Sequence, residues 1–141
     1  ELAVETPSMA VLPCFLWSGV PELPTLVPAD ELVHGLHAGL AETSLMLALE
    51  PSLVGEQRPL DGDHVSDKAA ATPPEGWSLE GPAPLAWFTA DLSQSGVVGD
   101  SRGADARLGN QLETALVAHW RRLFDSLMTS SWPPAGNRRR I

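Results

Sequence analysis

The sequence predicts an α/β fold, and three stretches predict it. Residues 9–17 are a continuous apolar run with the length and bulk of a strand covered on both faces. Residues 41–49 are strong helix formers closed by Glu50-Pro51. Between 104 and 128, Leu108, Leu112, Leu116, His119, Trp120 and Leu123 recur at helical spacing with polar residues between them. At 141 residues the chain suits one domain with one modest core.

Taken in order, the run 9–17 holds Pro13, which donates no ladder hydrogen bond and favours an edge or a bulge. Cys14 lies among Val11, Leu12, Phe15 and Leu16, the setting of a buried, inert thiol. Residues 19–28 contain three prolines and form a loop over the end of that strand, where α/β proteins commonly bind ligands. Residues 28–33 suit a short helical turn leading into His34-Gly35-Leu36-His37. The 41–49 helix is apolar nearly all round, which predicts burial on every side.

Residues 55–84 are rich in Gly, Pro and Asp with no regular period. Trp77 is the one large apolar anchor there, and such a stretch usually serves as a functional loop, a lid or a subunit contact. A short helix is predicted in 85–92 after Pro82 and Pro84, followed by a glycine-bracketed turn at Gly96-Val97-Val98-Gly99-Asp100. Asp105 suits the positive end of the last helix. Residues 1–128 therefore form the domain, and 129–141 a frayed tail.

The net charge of −9 is uneven: residues 1–100 carry fifteen Asp and Glu against Arg58 and Lys68, whereas the remainder is basic. An acidic body lacks the clustered basic face that nucleic acid requires, and Arg138-Arg139-Arg140 is too short to supply one. With a single cysteine no intrachain disulfide forms, and a reducing, cytoplasmic setting is the simpler expectation. Neither a secretory signal nor a membrane-spanning run is visible. The chain opens on Glu1 just ahead of an apolar run, as a piece of a longer protein would.

The densest chemistry lies in His37-Ala38-Gly39-Leu40-Ala41-Glu42-Thr43-Ser44. With a helix starting near Ala41, Glu42 falls in its first turn and His37 just ahead of it. There an imidazole can meet a substrate carbonyl with a carboxylate close enough to orient it. The plainer reading, a helix-entry turn in which Glu42 serves the helix dipole, is the more economical from spacing alone. His34 and His37 have the i, i+3 separation of a metal pair, but Gly35 argues against the helix this requires. Asp61-Gly62-Asp63-His64 lacks the later glutamate of a calcium loop and suits a solvated loop better. Trp17, at the strand end, is the aromatic best placed to touch a ligand, although core packing is the commoner use.

The run from His37-Ala38-Gly39 through Glu42-Thr43-Ser44 to Pro51-Ser52-Leu53-Val54 resembles the creatininase (creatinine amidohydrolase) family. A second match follows in order, Gly96-Val97-Val98-Gly99-Asp100 with Ala104 and Gly109, in which Ser101 replaces the family's usual proline. The resemblance covers roughly residues 9–128 and implies a three-layer α/β/α fold, commonly a homohexamer, with a dinuclear Zn or Mn site that hydrolyses or forms an amide C–N bond. It implies that His37 is the proton donor or acceptor, Glu42 its orienting partner and Trp17 a wall of the substrate pocket. The family's metal-holding segments, a Glu-x-His…Asp run and an Asn-Gly-His-x-x-Asn run, are missing from this sequence. The expectation is the C-terminal half of an amidohydrolase acting on a cyclic or formyl-type amide through a metal-bound hydroxide, inactive by itself. Its competitor is a non-catalytic remnant or subunit that binds a protein partner.

Overall fold

The structure, a computed structural model, describes residues 14–60, 74–79 and 83–131. Its elements in order are α1 (Leu23–Leu26), α2 (Ala29–His34), α3 (Leu40–Leu49), a 3-10 turn at Pro51–Leu53, α4 (Thr89–Leu92) and α5 (Ala106–Thr129). Pro24 sits in the first turn of α1, where a missing N–H costs nothing. Asp30 and Glu31 occupy the first turn of α2 and suit its positive end. Helix α3 ends at Glu50, since Pro51 disfavours helical backbone in the residue before it.

Helix α5 is the spine. Asp105 caps it by accepting the Leu108 N–H at 2.7 Å. Replacing this cap, D105A, should cost about 1 kcal/mol, read as a lower urea midpoint at unchanged m-value. The inner face of α5 presents Leu112, fully buried, with Ala115 and Leu116; Val20, Leu23 and Val27 close over them. Ala41 and Leu45 of α3 join the edge of this core.

Gly109 sets how closely α3 lies against α5. A Cβ at this position would overlap the Ser44 carbonyl oxygen and stand 2.7 Å from the Ala48 methyl. Ser44 is itself fully buried, and its hydroxyl accepts the Asp105 N–H at 3.2 Å, tying the start of α5 to the middle of α3.

The α/β prediction meets a mixed, mainly helical arrangement. Among the described residues β-pairing consists of isolated bridges: His37 with Val98, Leu60 with Asp100, and Ser78 with Pro84. Of the strand predicted at 9–17, residues 9–13 lie outside the described residues. The rest turns, with the Ser18 N–H bonded to the Phe15 carbonyl at 3.0 Å and Gly19 at φ +73°. Cys14 is exposed, not buried.

Helix α3 departs from its predicted all-round burial: Met46 and Leu49 are exposed and only Ser44 is fully covered, because α5 shields one side of the helix. Trp77 is likewise exposed, so it does not anchor its loop; Trp87 does so instead, its Nε1 donating to the Leu79 carbonyl at 3.1 Å. The Asp61-Gly62-Asp63-His64 cluster and residues 132–141 of the predicted tail lie outside the described residues.

Candidate functional site

Two turns build the site. After α2 the chain reaches Leu36 and His37, whose N–H groups both donate to the Val98 carbonyl, at 2.8 and 3.1 Å. Val98 returns its own N–H to the His37 carbonyl at 2.8 Å. This small antiparallel bridge joins the His-Ala-Gly segment to the Gly96–Asp100 turn. Ala38 then adopts φ +51°, a left-handed conformation uncommon for a residue with a side chain. Such strain is held only where its surroundings over-determine it.

Here the surroundings are the Glu-Thr-Ser residues. The Glu42 Oε2 accepts the Ala38 N–H at 2.5 Å, and the Thr43 hydroxyl donates to the Ala38 carbonyl at 2.8 Å. The same Glu42 oxygen lies 4.0 Å from His37 Nδ1. That is beyond hydrogen-bond length, so Glu42 shapes the turn through its hydrogen bond to Ala38 and does not grip the imidazole directly. The imidazole is 52% exposed, which leaves it open to substrate and water. Thus His37 and Glu42 are brought together.

Trp17 is half-buried and packs on the core, the commoner use weighed above. It also lines a narrow groove with Phe15, Leu32, Leu36 and Glu42, so it shares a surface with Glu42. His34 points elsewhere: it is exposed, 3.6 Å from Asp30. His119 and Trp120, expected to face the core, divide the task. His119 is buried, while the partly exposed Trp120 donates its Nε1 to the Leu16 carbonyl at 2.8 Å.

At the far end of the second turn, Arg102 forks onto both Asp100 oxygens at 2.9 Å. The Arg102 side-chain hydrogen bond holds the Asp100 carboxyl below its ordinary pKa, against an opposing effect of burial. Replacing the arginine, R102A, should move the Asp100 titration up toward the usual carboxylate range, measured by carboxyl 13C NMR. Because Asp100 is more acidic folded than unfolded, the pair adds stability above that range and loses it as pH falls through the lowered value. Both side chains are well exposed, so this contribution is small.

One site residue escaped the sequence reading. Glu31, taken there as part of a helical turn, is buried, and its carboxylate accepts N–H groups from both Leu40 and Asp100. The signal available was the set of glycines at 35, 39 and 99 flanking the two motifs, which is the space a buried carboxylate occupies.

A protein-family model, creatininase (creatinine amidohydrolase), matches residues 1–124. The chain belongs to the creatininase family. No curated protein and no solved structure matches it. Membership indicates amidohydrolase activity on a small-molecule amide, in a family of metal-dependent hydrolases. Among the described residues, however, no three His, Cys, Asp or Glu side chains are grouped to hold a metal. Glu31 and Glu42 each direct carboxylate oxygens at backbone N–H groups, so they do not form an open donor set. The described part of this creatininase relative therefore does not fit a metal centre. No helix among the described residues is long and apolar enough to cross a membrane.

Proposed function

We propose that this chain supplies the proton-transfer part of an amidohydrolase site that cleaves the C–N bond of a cyclic or formyl-type amide. The observation that supports it is the His37 turn. A half-exposed imidazole is fixed by a backbone bridge on one side and neighboured by the Glu42 carboxylate on the other. In this reading water adds to the amide carbon and gives up a proton to His37, the C–N bond breaks, and His37 passes that proton to the departing nitrogen. Glu42 holds the Ala38 turn that presents the imidazole. Trp17 forms one wall of the groove beside Glu42.

A Zn or Mn centre of the kind the family resemblance implies would supply an activated water. Its ligands then come from outside the described residues, in keeping with the chain as the C-terminal half of a creatininase-like domain (residues 1–128) within a cytoplasmic homo-oligomer.

The test is hydrolysis of creatinine and of formyl amides by the whole enzyme supplied with Zn or Mn. In H37A, kcat should fall about 100- to 10,000-fold with KM little changed. An H37A enzyme as active as the parent would end the proposal.

A further inference from the structure

We propose that Glu31 is the positioning residue of the His37 site, one buried carboxylate clamping the two turns that carry it. Glu31 lies on α2 and is 9% exposed. Its Oε1 accepts the N–H of Leu40, the first residue of α3, at 2.6 Å; its Oε2 accepts the N–H of Asp100 at 3.0 Å. The partners are 9 and 69 positions away along the chain. His37 precedes the first and Val98 the second, and these two residues form the bridge of the site. The clamp and the bridge therefore close one ring around the imidazole's backbone.

The surroundings are built for this carboxylate. Side chains at Gly35 or Gly39 would overlap it, and one at Gly99 would stand 2.9 Å from Oε1. Helix α3 is ten residues long and begins after Gly39, which has no side chain to cap it. Glu31 takes the place of the cap from a different helix, and its charge suits the positive end it faces. A carboxylate is the group required. An apolar side chain leaves two N–H groups unpaired; a glutamine accepts at one atom and turns an NH2 toward the other N–H. The role toward the reaction rests on the reading of His37 above, whereas the clamp itself does not.

The test is NMR on the unmodified protein and on E31Q. In the unmodified protein, scalar couplings across the hydrogen bonds should link Glu31 Cδ to the amide nitrogens of both Leu40 and Asp100; absence of both overturns the proposal. In E31Q, amide exchange at His37 and Val98 should accelerate at least tenfold and the His37 imidazole signals should move, while the amides of Leu112 and Leu116 stay protected. If the imidazole signals and exchange at His37 stay at their original values, Glu31 serves the fold alone and the proposal fails. The couplings need no variant to fold. None of these readouts uses substrate, so a failed turnover assay bears on His37 and not on the clamp.

Discussion

Placing alanine at Gly109 should destabilise the chain by about 2–3 kcal/mol, although the substitution improves helix propensity by about 1 kcal/mol. The sign rests on what the new methyl meets. Its neighbours are the Ser44 carbonyl oxygen and, at 2.7 Å, the Ala48 Cβ. One is backbone and the other the shortest of side chains, so neither swings aside, and α3 and α5 must separate. Separation also stretches the hydrogen bond from Asp105 to the Ser44 hydroxyl and loosens Leu45 and Leu108 at the core edge. Removing the opposing methyl in the double variant G109A/A48G should recover only part of the loss, because the carbonyl remains. Urea unfolding of the parent and these variants decides the matter; a G109A chain more stable than its parent would show that the helices do not meet there.

The same contact explains which parts of the fold the sequence revealed. Helix α5 has an apolar period of several turns and a capping aspartate, and both are local signals. Helix α3 was legible from composition and from Pro51, but its exposure was not, since that depends on what lies across Met46 and Leu49. The apolar content of residues 9–17 suggested a strand, yet the turn at Phe15–Gly19 follows Ser18-Gly19, whose preference dominates at that end. His37 and Glu42 were visible because they are neighbours in the chain. Glu31 was not, because its partner Asp100 is 69 positions away and the glycines at 35 and 39 that make room for it read locally as turn residues. Ser44 likewise looked like an ordinary hydroxyl of the Glu-Thr-Ser motif until its partner Asp105 was placed against it.

Alanine at Gly99 and at Gly96 should differ sharply, and the difference measures how tightly site and fold are joined. Both glycines have positive φ, +134° and +85°, so each substitution carries a backbone cost of about 1–3 kcal/mol. At Gly96 that is all, because nothing lies within 4 Å of the added methyl. At Gly99 the methyl meets the Gly35 Cα at 2.7 Å and the Glu31 Oε1 at 2.9 Å. Relief requires Glu31 to leave, which strips the Leu40 and Asp100 N–H groups of their acceptor at about 1–3 kcal/mol each. The expected losses are thus about 1–3 kcal/mol for G96A and about 3 kcal/mol or more for G99A, read from urea midpoints. Equal losses would mean that the carboxylate yields without cost. A larger loss at Gly99, accompanied by faster amide exchange at His37, would mean that the imidazole's backbone and the stability of the fold depend on one buried carboxylate. Selection on either would then act on Gly35, Gly39 and Gly99 together.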